Sequence, residues 1–289
     1  METATHPTVD QFKELVRQEW SDPATVAGWR RWFPKMLVQF QTGTDLLLQA
    51  ASLEPGMHVL DLASGSGDPA VALAAAVGPT GRVTATDSST EMLALAEENA
   101  RAQGLTNLTF RQADAQAVPF PDQHFDRVTS KLGVMYFVES AQALREVRRV
   151  LKSDGRVALL AWGPPEQSPY IQAALGPILQ RAQLPPPPPG APQPFRFAAQ
   201  GTLTAELDRA GFREIEEATH VIPLPWPGPP EEVWQHLYDI AAPFRPVIDG
   251  LAPDEREQAI GEVLAGLRRY YDGERTTTPA AIVVASATR

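Results

Sequence analysis

The chain reads as an α/β fold built on a doubly wound, largely parallel sheet, and three observations lead there. Short apolar strands alternate with helical segments from His58 to Trp162. A glycine turn follows the first strand, at Gly65 and Gly67. Acidic residues recur at strand ends, at Asp61, Asp87 and Asp114. Strands separated by helices of that length form βαβ units, whose parallel sheet is covered on both faces.

The N-terminal stretch reads as helical. Thr8 and Gln11 have capping-box spacing before a helix to about Trp20. Pro23 opens a second helix through Trp29, Trp32 and Phe33, which Pro34 is expected to break. A third helix is expected from Lys35 to Ala51, with Leu37, Phe40, Leu46 and Leu47 as its apolar positions. Then come a strand at His58–Leu62, a helix at Pro69–Val77, and a strand at Arg82–Asp87. Ser88 and Glu91 have capping-box spacing for a helix to about Gln103. Strands at Leu108–Arg111 and Phe125–Ser130 precede a helix at Ala141–Leu151 and a strand at Arg156–Trp162. Beyond Gly163 the alternation stalls. A helix is expected over Ile171–Arg181, a polyproline spacer over Pro185–Pro189, a helix over Thr204–Ala210 and a strand over Arg213–Val221. Helices near Glu231–Ala241 and Pro253–Tyr271 precede a last β-branched strand, Ala280–Ser286.

Composition narrows the function classes. A length of 289 residues, 43% of them hydrophobic, suffices for one large core with an elaborated cap. A formal charge of −10 argues against nucleic acid and an anionic membrane surface as partners, since both need clustered Lys and Arg. No 18-residue apolar run or basic-then-apolar leader is present, so the expectation is a cytoplasmic protein with no integral membrane contact. The absence of cysteine removes disulfides, zinc-thiolate sites and thiol nucleophiles. No His/Asp/Glu cluster has metal-ligand spacing, so no metal is expected. Nothing in the sequence speaks to oligomeric state.

The stretch Asp61-Leu62-Ala63-Ser64-Gly65-Ser66-Gly67-Asp68-Pro69-Ala70 carries the chemistry. A first strand-to-helix turn lies outside the carboxyl ends of the strands, where ligands bind, and its glycines let the backbone approach a ligand. Gly65-x-Gly67-x-x-Ala70 also fits the dinucleotide fingerprint, or a plain tight turn. Asp87 can accept both ribose hydroxyls of an adenosine, or cap the helix that follows. Asp114 can accept from an adenine amino group, with Ala115 beside it. Three acids at three successive strand ends define a site for an adenosine with a cationic tail.

Four blocks, VLDLASGSGDPA (59–70), VTATDSSTEML (83–93), RQADAQAVPFPDQHFDRVTS (111–130) and LREVRRVLKSDGRVALLAW (144–162), resemble class I S-adenosylmethionine-dependent methyltransferases of the ubiquinone/menaquinone C-methyltransferase type. The resemblance implies a Rossmann-like seven-stranded sheet with strand seven antiparallel, Arg213–Val221 as strand six and Ile282–Ser286 as strand seven. It implies S-adenosylmethionine as cofactor and S-adenosylhomocysteine as product. Ala63, Gly65, Ser66 and Gly67 would line the methionine portion, Asp87 would hold the ribose, Asp114 and Ala115 the adenine, and Ser130 would sit beside the cofactor after strand four; Asp61, Ser88, Met92 and Leu132 complete the cofactor-binding set. The family usually has glycine where this chain has Ala63. The resemblance divides the chain into an N-terminal helical cap (1–52), a cofactor-binding core (53–163), an insertion (164–200), core continued (201–222), a helical lid (223–277) and a final strand (278–289).

After Ser130 the quinone-methylating enzymes carry a Phe-Gly-Leu-Arg-Asn type segment, where this chain has Lys131-Leu132-Gly133-Val134-Met135-Tyr136-Phe137. A different small acceptor is therefore expected, held by the aromatics of the cap and insertions: Trp29, Trp32, Phe33, Trp162, Trp226, Trp234, Tyr238, Phe244, Tyr270 and Tyr271. Any of these could instead pack the cap onto the core. His236, beside Trp234 and Tyr238, is the candidate general base, or else a surface or capping histidine; Tyr136 is the candidate acceptor-orienting group. His58, His124 and His220 read as structural or uninformative. Two other functions fit the same residues: a nicotinamide-dependent oxidoreductase, and a non-catalytic protein that binds S-adenosylmethionine.

Overall fold

Residues 8–182, 184 and 191–289 are described by the structure, a computed structural model. The expected polyproline spacer at 185–189 lies outside these residues. The capping box at Thr8 opens α1 (Val9–Ser21): the Thr8 amide donates to Gln11 Oε1 at 2.7 Å, and the Gln11 amide to Thr8 Oγ1 at 3.3 Å. Asp22 then caps α2 (Pro23–Ala51) by accepting from the Thr25 amide at 2.8 Å. Pro34 does not break the chain here, contrary to the sequence expectation; α2 is one helix of 29 residues with Pro34 inside it. An internal proline costs about 3 kcal/mol. Burial of Trp32, Phe33, Met36, Phe40 and Leu47 along one face offsets that, at about 1.5–3 kcal/mol for each large side chain.

The core follows as β1 (His58–Leu62), α3 (Ala70–Val77), β2 (Arg82–Asp87), α4 (Thr90–Ala102), β3 (Leu108–Gln112), β4 (Phe125–Lys131), α5 (Ser140–Val150) and β5 (Leu151–Trp162). Ser89, rather than Ser88, caps α4, accepting from the Met92 amide at 3.1 Å. The expected helix over Ile171–Arg181 is two short ones, α6 (Pro169–Ala174) and α7 (Gly176–Ala182), divided before Gly176-Pro177. Next come α8 (Thr202–Arg209) and β6 (Arg213–Trp226), which continues five residues past its expected end. The last insertion holds α9 (Pro230–Ile240), α10 (Arg245–Asp249) and α11 (Pro253–Arg268), and β7 (Thr276–Thr288) closes the fold.

Among the described residues the strands form one seven-stranded sheet in the order β3-β2-β1-β4-β5-β7-β6. The first five are parallel; β7 runs antiparallel between β5 and β6, with Leu160 opposite Val284 and His220 opposite Ile282. Alternate residues of β5 serve opposite layers. Val157, Leu159 and Ala161 pack with Leu144, Leu203 and Leu207 from α5 and α8. Ala158 and Leu160 pack with Met36, Phe40, Ile171, Leu237 and Val263 from α2, α6, α9 and α11. Such two-sided burial is why the second half of β5 reads as a continuous apolar run. The insertions thus build one layer over the sheet, beside the carboxyl ends of β1, β2 and β4.

Candidate active site

A cavity of about 630 Å³ opens at those carboxyl ends. Its floor is the β1–α3 turn, where Ala63, Gly65 and Gly67 have φ of 54°, 52° and 103°. Glycine takes such values freely, but an L residue in this region is strained by roughly 1–2 kcal/mol. Ala63 tolerates it because Gly133 leaves room: a β-carbon on Gly133 would lie 2.6 Å from the Ala63 methyl and 2.7 Å from Ser130 Oγ. Gly67 backs onto Ala96 of α4, where a β-carbon would lie 3.3 Å from the Ala96 Cα and Cβ, closer than ordinary contact.

Asp87 ends β2 and braces the turn, accepting from the Gly65 and Ser89 amides at 2.9 Å each. Each carboxylate oxygen keeps a further lone pair for a ligand hydroxyl. Burial pushes this carboxyl above its ordinary range, against the lowering effect of those amides. Asp61 is fully buried beneath the turn: Oδ1 accepts from Thr129 Oγ1 at 2.7 Å, while Oδ2 has no partner. Burial raises its pKa to about 7. Asp114 accepts from the Gln116 amide at 2.9 Å and pairs with Lys13 of α1 at 2.7 Å. α1 lies across this end of the cavity, presenting Asp10, Lys13, Glu14, Arg17 and Trp20. Its C-terminus is tied to α4 through Ser89 Oγ, which donates to the Trp20 carbonyl at 3.1 Å.

Nine of the expected cofactor residues line the cavity: Ala63, Gly65, Ser66, Asp87, Ser88, Met92, Asp114, Ala115 and Leu132. Asp61 and Ser130, behind the turn, and Gly67, within it, do not reach its surface. Tyr136 lines the cavity, its ring edge-on to Trp20 at 5.7 Å between centroids; burial, reinforced by the charge of Glu19, holds its hydroxyl protonated well above the usual range. His236 does not reach the cavity, and the general-base expectation for it fails on geometry. It is fully buried, stacked on Trp226 at 4.4 Å with Trp32 edge-on, and both ring nitrogens lack partners. Of the expected acceptor aromatics, Trp29, Trp162 and Phe244 line the cavity, whereas Trp32, Phe33, Trp226, Trp234, Tyr238, Tyr270 and Tyr271 lie elsewhere. Sequence reasoning missed Trp20, Phe40, Tyr170 and Phe195, and also the buried pair formed by Asp68 and Lys131. One local signal for that pair was available: a lysine ending an otherwise two-sided buried strand needs a counter-charge. Among the described residues no group of three or more His, Asp or Glu is placed to hold a metal. No helix among them is long and apolar enough to cross a membrane.

The comparisons with known proteins bear on this arrangement. Residues 53–168 match a family described as methyltransferase domain. The chain is 38% identical over 120 residues to the ubiquinone/menaquinone biosynthesis C-methyltransferase of Shewanella sediminis, covering 41% of this chain and 48% of that one. It is 35% identical over 164 residues to the demethylmenaquinone methyltransferase of Lactobacillus johnsonii, covering 56% and 59%. The chain therefore spans about half the length of the curated relatives it matches. The [4+2]-cyclase SpnF has a similar fold, with a TM-score of 0.58 at 20% identity over 98% of this chain and 97% of that one. The residues present fit the cofactor's chemistry. Asp87 and Asp114 line the cavity beside the glycine turn as acceptors, and Asp61 Oδ2 and the hydroxyls of Ser66 and Ser130 are buried without partners around that turn, a lining that suits a cationic, hydrogen-bonding ligand.

Proposed function

We propose that this protein transfers a methyl group from S-adenosylmethionine to a small, apolar or aromatic acceptor. The observation that carries this is the continuity of the cavity. The glycine turn with Asp87 and Asp114 opens directly onto a wall made by Phe40, Trp162, Tyr170, Phe195 and Phe244. When bound, the cofactor supplies a methyl group on a sulfonium, which needs no further activation. The chain's own work is to orient and desolvate. Asp87 and Asp114 would hold the adenosine, while the turn and Met92 would hold the methionine portion. The aromatic wall fixes the acceptor and excludes water, which favours an in-line displacement.

His236 is withdrawn from this scheme, and Tyr136 orients rather than deprotonates, since its hydroxyl holds its proton. Incubation with methyl-labelled S-adenosylmethionine and a panel of planar phenols, enols and N-heterocycles tests the proposal. Label should enter at least one acceptor, and Asp87→Ala should abolish it at low cofactor concentration. Cofactor binding with no transfer across the panel would favour a non-catalytic role.

A further inference from the structure

We propose that Asp68 and Lys131 form an oxygen-handling pair for the methyl acceptor, and that this acceptor carries an ionisable hydroxyl, a phenol or an enol. The inference rests on the methyl-transfer reading above. Three elements meet at this pair: Asp68 from the β1–α3 turn, Lys131 at the last residue of β4, and Thr44 from α2. Lys131 Nζ donates to Asp68 Oδ2 and to Thr44 Oγ1 at 2.9 Å, and Thr44 Oγ1 donates to Asp68 Oδ1 at 3.1 Å. The lysine and aspartate side chains are only 4% and 12% exposed. Both nonetheless line the cavity, where the cofactor turn gives way to Phe40, Trp162 and Tyr170.

Valence leaves this ring incomplete. An ammonium has three N–H groups and the ring uses two; a carboxylate has about four lone-pair sites and the ring uses two. One acceptor hydroxyl can therefore donate to Asp68 and accept from Lys131 at once. The pair carries no net charge, so it does not select a permanently charged carboxylate or amine. It matches a neutral group that ionises in place. Stability does not account for the pair either, because a buried ion pair is often no better than packed apolar residues of the same volume.

The reaction balances as follows. The hydroxyl oxygen forms a bond to the methyl carbon of the sulfonium as its proton passes to the Asp68 carboxylate. The carbon–sulfur bond breaks, its electron pair staying on sulfur as a neutral thioether. Lys131 holds the oxygen while its negative charge is being consumed. Asp68 afterwards releases the proton to solvent, for a net release of one proton per methyl ether formed.

Calorimetry on the wild-type protein saturated with S-adenosylhomocysteine gives the first test, using phenols and enols against their own methyl ethers. The hydroxyl compounds should bind about tenfold tighter, the equivalent of one well-made hydrogen bond. In Asp68→Asn/Lys131→Met that preference should vanish, with S-adenosylhomocysteine affinity within about threefold of wild type. In turnover, Asp68→Asn should lower kcat about 100-fold for an ordinary phenol. The loss should be much smaller for a nitrophenol, which arrives ionised; a merely structural pair would lower both equally. Equal binding of hydroxyl and ether throughout the panel in wild type overturns the inference, whether or not the variants fold. So does an equal kcat loss for the two phenols. Failure of the wild-type protein to bind S-adenosylhomocysteine contradicts the methyltransferase reading instead.

Discussion

Replacing His236 by leucine should flatten the acid side of the stability profile. The imidazole is fully buried against Trp226 and Trp32 with neither nitrogen hydrogen-bonded, and burial pushes its pKa from 6.5 to about 3. Above pH 6.5 the ring is neutral in both folded and unfolded chains, so it contributes no pH dependence. Below 6.5 the unfolded chain takes up a proton that the folded one refuses until near pH 3. Stability therefore falls with pH by about 1.4 kcal/mol per unit in that window, or roughly 2–3 kcal/mol between pH 7 and pH 4.5. Asp61 acts in the opposite direction over the same interval, since its raised folded pKa favours the folded chain as pH falls from 7 towards 4. It is common to both proteins, so the difference between them isolates His236. Urea unfolding at the two pH values measures it. His236→Leu should lose roughly 2–3 kcal/mol less than wild type on acidification, and should be no less stable at pH 7, because it removes two unsatisfied buried nitrogens. An identical acid slope in the two proteins would refute the reasoning.

Further outcomes follow from the site itself. Asp87→Ala should weaken S-adenosylhomocysteine binding by about 1–3 kcal/mol in calorimetry, through lost charge-assisted hydrogen bonds and a loosened Gly65 turn. Gly133→Ala should destabilise by about 1–3 kcal/mol, because its β-carbon collides with the Ala63 methyl and Ser130 Oγ. Ala63→Gly alone should stabilise by about 1 kcal/mol through relief of positive φ, and in the Gly133→Ala background it should recover the part of the loss that comes from the Ala63 methyl, leaving the contact with Ser130 Oγ; thermal melts of the four proteins close this cycle. Lys13→Ala frees Asp114 from a half-exposed ion pair worth about 0–1 kcal/mol, so S-adenosylhomocysteine affinity should hold or rise slightly. A tenfold loss in calorimetry would show instead that Lys13 itself grips the cofactor.

The parts of the fold legible in the sequence are those whose signal is local. β5 and β7 are buried on both faces and so spell out apolar runs at Val157–Ala161 and Ala280–Ala285, and the glycine turn with Asp87 and Asp114 can be placed from strand ends alone. Pro34 misleads because its penalty is local while its compensation comes from sheet residues far along the chain. The cap of α4 falls one residue later than expected because Ser88 and Ser89 carry the same side chain, and only the backbone decides which one reaches the Met92 amide. His236 shows the same limit at the site. Helical spacing put it beside Trp234 and Tyr238, but which face of α9 is buried depends on where Trp32 and Trp226 arrive. Lys131 at the end of a buried strand signals locally that a counter-charge is needed, but its partner Asp68 lies 63 positions away and only the fold names it.

The central claim, that the turn, Asp87 and Asp114 hold the adenosine of S-adenosylmethionine, is tested most directly by titrating the protein calorimetrically with S-adenosylhomocysteine and, separately, with NADH. Saturable one-to-one binding of S-adenosylhomocysteine, weakened by Asp87→Ala, with no heat from NADH, is the predicted result. Binding of NADH without S-adenosylhomocysteine would contradict it and return the glycine turn to a dinucleotide.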